Sequence, residues 1–104
     1  MRERPPETLP VVVGVLGAAC DLPLAATLGG LLHAFGANLV WIGARLLPCG
    51  QRDALGAIAT LAAPIGRTVD ACRAATLDDL GGCALLADIA SLRHERLATR
   101  ICLS

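Results

Sequence analysis

Residues 22–47 read LPLAATLGGLLHAFGANLVWIGARLL and carry the clearest structural signal in the chain. Large apolar residues recur there at steps of three and four, which is the spacing of one face of a helix. This large-residue face consists of Leu24, Leu28, Leu31, Phe35, Leu39, Ile42 and Leu46. A second, small-residue face, which a neighbouring helix can approach closely, consists of Gly29, His33, Gly36, Val40 and Gly43. Pro48 and Gly50 are expected to end the helix.

The segments before this helix carry weaker signals. Residues 1–8 are predicted to form a disordered lead-in, since charges and two adjacent prolines precede any apolar run. Residues 11–20 are predicted to form a short buried helix that ends at Asp21. Asp21 is then expected to be the N-cap of the long helix, with Pro23 in the first turn.

The chain after the long helix also has helical patterns. Residues 51–75 predict a third helix, and Pro64 predicts either a kink near Leu61 or a division into two shorter helices. Residues 76–79 form a capping-box variant that opens one short turn, and a last helix is expected over 84–97. The residues of the third helix expected to point inward are Leu55, Ile58, Leu61, Ile65, Val69 and Cys72. The last helix carries Leu85, Ile89 and Leu92 on one side.

These segments predict an all-α fold, a small bundle of about four or five helices over residues 9–104 with a flexible C-terminal tail. Hydrophobic residues make up 55% of the 104 residues and charged residues 17%, against about 45–50% and about 25% in ordinary soluble domains. The excess indicates a partner-covered surface or a chain cut out of something larger. Nucleic-acid binding is not expected, because the formal net charge is zero and no basic stripe is present.

No catalytic constellation stands out in the sequence. The five cysteines are Cys20, Cys49, Cys72, Cys83 and Cys102, without a CxxC pair, and are expected to be small buried hydrophobes in a reducing cytosol. His33 is expected to be a packed core residue, and Asp78-Asp79 to cap a helix start. His94 is expected to be an exposed helix-end residue; a metal site with Cys102 or Glu95 is the alternative. We therefore predict no enzyme activity and no directly bound metal or cofactor.

A single membrane span is the chief alternative to a bundle. Residues 22–43 contain no formally charged residue over 22 positions, which is long enough to cross a bilayer. His33 and Asn38 in mid-segment are expensive in lipid, and the third helix is amphipathic. The alternative prediction is a small membrane protein with its span at about residues 22–44.

Two stretches of the sequence resemble one protein family. LLHAFGANLVWIGARLLPCGQ (31–51) resembles the segment of UreF-type urease accessory proteins in which a long helix carries Asn-Leu-Val and a basic residue and ends in a Pro-x-Gly-Gln turn. LDDLGG (77–82) followed by LADIASLRHERLATRICLS (86–104) is similar to the C-terminal signature of that family. The resemblance spans about residues 9–104, is most specific at 48–51 and 89–95, and covers only the C-terminal part of the family's chain.

The resemblance implies a non-enzymatic, cytoplasmic helical scaffold in the complex that delivers nickel to apo-urease. The implied partners are a UreD- or UreH-type accessory protein, a UreG-type GTPase and apo-urease itself, and a homodimer is implied as well. Nickel and GTP would be handled by that partner complex, with no cofactor bound directly by this chain and no membrane or nucleic acid as partner.

The resemblance also assigns individual residues. The implied partner contacts are Arg93, His94, Glu95, Arg100 and Ser104. The positions with an implied structural role are Asn38, Arg45, Pro48, Gly50, Gln51, Asp78, Asp79 and Gly81. The family's chain is longer, and without its N-terminal helices we expect the apolar faces of the long helix to be uncovered.

Overall fold

The computed structural model describes residues 8–97, and every regular element in that range is helical. The helices are α1 (Leu9–Ala19), α2 (Leu24–Leu46), α3 (Gln51–Thr60), α4 (Ala62–Ala74) and α5 (Leu85–His94), with a 3-10 turn at Leu77–Asp79. The prediction of an all-α bundle of four or five helices is confirmed. The predicted flexible tail, and the predicted lead-in apart from its last residue, lie outside the described residues.

The connection between α1 and α2 is a Schellman-type helix end. The Leu22 N–H donates to the Gly17 carbonyl at 2.9 Å, and the Asp21 N–H donates to the Ala18 carbonyl at 3.2 Å. Asp21 has φ 53°, the left-handed conformation that this helix end uses. Pro23, with φ −57° and ψ 137°, is the N-cap of α2. The prediction that Asp21 would cap α2 is therefore wrong, because its left-handed backbone terminates α1 instead.

α2 is the centre of the bundle and contacts α1, α3 and α4. A Cβ built on Gly29 would lie 4.0 Å from Val69, and one built on Gly36 would lie 2.7 Å from Leu61. Leu61, just before α4, meets Gly36, whereas Val69, later in α4, meets Gly29, which comes earlier in α2. The two helices therefore run antiparallel. The small-residue face of α2 is thus the face on which α3 and α4 pack, and the missing Cβ of Gly36 is what admits the Leu61 side chain.

The helical pattern over 51–75 is divided at Leu61 into α3 and α4, as one of the two predictions had it. Pro64 lies in the first turn of α4. Backbone N–H groups in a first turn have no partner within the helix, so the missing N–H of proline costs no hydrogen bond there. Of the residues predicted to point inward, Val69 is buried, and three are half-buried: Ile58, Leu61 and Ile65. Leu55 and Cys72 are exposed, and Ala54 rather than Leu55 takes the innermost position of α3.

Little of the apolar surface is buried among the described residues. The buried apolar side chains are Ala54, 1% exposed, and Val69, 7% exposed. α1 is helical as predicted, but its valines lie at the surface or are only half-buried, so the prediction that it is buried is wrong. No Cα atom of α5 lies within 8 Å of a Cα atom of another helix, and the apolar side of α5, formed by Leu85, Ile89 and Leu92, is exposed.

Candidate functional site

The large-residue face of α2 is left open by the other helices. Its exposed members, 45–63% accessible, are Leu24, Phe35, Leu39, Ile42 and Leu46. Leu28 and Leu31 are half-buried, and α1 lies beside Leu31. The expectation that an apolar face of the long helix would be uncovered is therefore met on this side. An apolar stripe of this length is typical of a surface that other polypeptide covers.

Between α1 and α2 this open face continues into a groove of about 580 Å³. We call it the α1–α2 groove; it is lined by Leu9, Pro10, Leu31, Leu32, Ala34, Phe35 and Asn38. Asn38 contributes the one polar side chain of this lining, and none of the lining side chains is charged. The groove therefore suits the apolar face of a helix rather than a charged small molecule.

The predicted partner contacts that the structure describes lie at the end of α5. Arg93 and Glu95 are exposed, and His94 is half-buried. Arg93 and His94 belong to the last turn, where the helix dipole favours positive charge. Leu92, 65% exposed, places apolar surface directly beside these charges. The other two predicted contacts, Arg100 and Ser104, lie outside the described residues.

Four of the predicted structural positions gather at the connection between α2 and α3: Arg45, Pro48, Gly50 and Gln51. Gly50 is the N-cap of α3, and its N–H donates to Oδ2 of Asp53 at 3.3 Å. Asp53 thus satisfies one backbone donor at the start of α3. Asn38 does not join this cluster and lies in the α1–α2 groove.

Asp78 and Asp79 lie in the 3-10 turn, and Gly81 follows in non-helical backbone. The Thr76 N–H and hydroxyl donate to Oδ2 of Asp79 at 2.8 and 2.9 Å. These hydrogen bonds, the backbone one first, hold the pKa of Asp79 below its ordinary value because they stabilise the carboxylate form. The capping-box variant predicted at residues 76–79 is present.

The described residues contain no group of three or more His, Cys, Asp or Glu side chains that could hold a metal ion. Four cysteines, Cys20, Cys49, Cys72 and Cys83, are exposed, so their predicted burial is wrong. His33 is exposed as well, so the prediction of a packed core histidine is also wrong. Their exposure accords with how little apolar surface is buried among the described residues, where Ala54 and Val69 are the buried apolar side chains. Cys102, the alternative metal ligand beside His94, lies outside the described residues.

One feature of the packing was not predicted from the sequence. Gly17 is buried against α2, where a Cβ would lie 2.6 Å from Oγ1 of Thr27. The close approach of a neighbouring helix to the small-residue face of α2 was predicted, and the contact of Gly36 with Leu61 confirms it.

Among the described residues, α2 is the one helix long and apolar enough to cross a membrane by length and composition. Its 18-residue apolar window has a mean hydropathy of 1.4. The central helix of a bundle with one uncovered apolar face meets the same criterion, so length and composition alone do not establish a span.

Comparison with known proteins points to one family. The UreF family model matches residues 1–62, more than half of the chain. A "Urease accessory protein UreF" from Rhodopseudomonas palustris strain BisB18 is 49% identical over 92 residues, which are 88% of this chain and 38% of the relative. The corresponding protein of Bradyrhizobium diazoefficiens is 44% identical over 98 residues (94% and 40%), and that of Cereibacter sphaeroides is 42% identical over 100 residues (96% and 48%). No solved structure matches the chain significantly.

The chain thus spans less than half the length of these curated relatives. The family model includes the turn at residues 48–51, and matches that cover 88% or more of the chain necessarily extend past residue 62 and reach α5. None of these matches supports the single-span alternative. By the family model and these relatives, the chain belongs to the UreF family.

Proposed function

We propose that this chain works as a urease accessory protein of the UreF type, a non-enzymatic scaffold in the complex that delivers nickel to apo-urease. The observation that carries the proposal is family membership, since the matched relatives bear the name urease accessory protein UreF. The exposed apolar helices support a binding role, because such surface is stabilised by contact with other polypeptide.

Under this proposal the partners are a UreD- or UreH-type accessory protein, a UreG-type GTPase and apo-urease, and the protein acts in the cytoplasm as a homodimer. The partner complex handles nickel and GTP, while this chain binds no cofactor directly. Its contribution is to hold the partners in a productive arrangement.

We assign docking of the UreD-type partner to the end of α5 and the residues after it. α5 has no Cα atom within 8 Å of α1–α4, so a partner can reach the helix from several sides. Exposed Leu92 supplies apolar area, and the adjacent Arg93 and Glu95 supply charges of both signs for a polar rim. Arg100 and Ser104 belong to the same assignment through the family resemblance.

Co-purification with a UreD-type protein tests this assignment. A tagged chain is co-expressed with that protein, and the amount retained is measured. We expect the pair Arg93→Ala and Glu95→Ala to reduce retention by about tenfold, equivalent to about 1.4 kcal/mol of binding free energy. The matched control is the pair Arg67→Ala and Asp70→Ala, which also removes one exposed cation and one exposed anion but lies on α4.

Two outcomes would count against the proposal. If deletion of residues 93–104 left co-purification intact, the docking assignment to α5 would be wrong. The unaltered chain is also tested by itself and together with the remaining part of a UreF relative. If it retained neither the UreD-type protein nor the UreG-type GTPase in either case, the scaffold function itself would be wrong.

A further inference from the structure

The large-residue face of α2 is long enough for another helix to pack along it. α2 has 23 residues, which at about 1.5 Å per residue makes it about 34 Å long. The exposed apolar residues recur along its whole length, from Leu24 to Leu46, and the α1–α2 groove opens on the same side at Phe35. Helices pack along apolar stripes of this kind, with side chains of one helix between those of the other.

The exposed part of this face is continuous. Five large apolar side chains, each 45–63% exposed, line one side of α2 from Leu24 to Leu46. Soluble monomers rarely leave a contiguous apolar patch of this kind open to water. The face therefore fits a position that other polypeptide normally covers.

The matched relatives indicate which polypeptide this is. They keep this region at 42–49% identity, and the region makes up only 38–48% of their length. In each relative, more than half of the residues therefore lie outside the match and belong to the same polypeptide as the counterpart of this face. A second copy of this chain would bring the same helices again and none of the residues that the relatives have outside the match.

We propose that the large-residue face of α2 and the α1–α2 groove receive a helix from the part of the UreF fold that these 104 residues do not span. That helix presents an uncharged apolar stripe to Phe35 and Leu39, and a polar group within reach of the Asn38 amide. It comes either from the same polypeptide or from a separate one. The inference rests on family membership and on the open face, and not on the docking role assigned to α5.

Complementation in trans tests the inference. The 104-residue chain is co-expressed with the part of the Rhodopseudomonas palustris BisB18 relative that lies outside its matched 92 residues. We expect the two to co-elute as a complex with equal numbers of both polypeptides, measured by size-exclusion chromatography with light scattering. The double variant Phe35→Gln and Leu39→Gln should weaken the complex at least tenfold. Because both side chains are exposed, helix content measured by circular dichroism should be unchanged.

The matched control is Leu77→Gln with Leu80→Gln, two equally apolar and exposed leucines away from α2, which should leave the complex intact. The inference is overturned if the two polypeptides elute separately, if the chain forms only homodimers in their mixture, or if the Phe35 and Leu39 variant binds as tightly as the control. Deleting residues 93–104 should leave this complex intact while abolishing retention of the UreD-type protein, so failure of one proposal is distinguishable from failure of the other.

Discussion

The two apolar faces of α2 differ in what covers them. The small-residue face, with Gly29 and Gly36, is in contact with α4 and with Leu61 at the junction of α3 and α4. The large-residue face has the more hydrophobic side chains, yet Phe35 remains 63% exposed. In this chain, a face of α2 is therefore buried where small residues let another helix approach closely and where such a helix is present. Hydrophobicity alone does not decide which face is inside.

The largest expected difference in stability is between two variants, each of which shortens one apolar side chain at one of the two faces of α2. Val69→Ala removes buried methyl groups that lie against the small-residue face, so we expect the free energy of unfolding to fall by about 1–3 kcal/mol. Leu39→Ala removes atoms from the open face and should change it by less than about 0.5 kcal/mol. Urea denaturation of the isolated chain measures both. Equal losses in the two variants would show that the large-residue face is covered within this chain.

A smaller contrast separates two glycines of α1. A Cβ at Gly17 would lie 2.6 Å from Oγ1 of Thr27, a stiff β-branched side chain, so Gly17→Ala should destabilise the chain by about 1–3 kcal/mol. Nothing lies within 4 Å of a Cβ at Gly14, where alanine should instead stabilise the helix by about 0.5–1 kcal/mol. The measurement is the shift in thermal midpoint. Stabilisation by both substitutions would mean that α1 does not rest against Thr27.

The smallest expected effect concerns the 3-10 turn, which lies apart from both faces. The pKa of Asp79 is lowered in the folded chain. The cap therefore stabilises the folded chain at pH values above the ordinary aspartate pKa, and this stabilisation is lost as pH falls through the lowered pKa. NMR titration should place the pKa of Asp79 below that of an unstructured aspartate. Thr76→Ala, which removes one of the two donors, should raise it part of the way back. An ordinary pKa in the unaltered chain would contradict the cap.

Sequence periodicity was sufficient to predict the helices themselves. The pattern at 22–47 predicted α2, observed at Leu24–Leu46, and Pro64 predicted the break that the structure places at Leu61. Asp21 was misassigned because aspartate suits both an N-cap and the left-handed end of a helix, so residue type alone does not separate the two.

Burial was the property that the sequence could not supply. His33 and Cys72 were predicted to be buried because they lie in apolar patterns, and both are exposed. A pattern shows which residues are apolar, whereas burial depends on the polypeptide that lies opposite. For a chain that spans 38–48% of its relatives, much of that polypeptide lies outside the 104 residues. The α5 contacts depend in the same way on a partner and remain predictions.

Hydroxyl-radical footprinting can compare two leucines directly, one on the open large-residue face of α2 and one packed against its small-residue face. Leu39 lies on the open face and is 52% exposed, whereas Leu61 is half-buried against the small-residue face. In the isolated chain we predict faster oxidation of Leu39 than of Leu61, and protection of Leu39 alone once the remaining part of a UreF relative is added. Equal protection of Leu39 and Leu61 in the isolated chain would contradict the conclusion that the large-residue face is open until other polypeptide covers it.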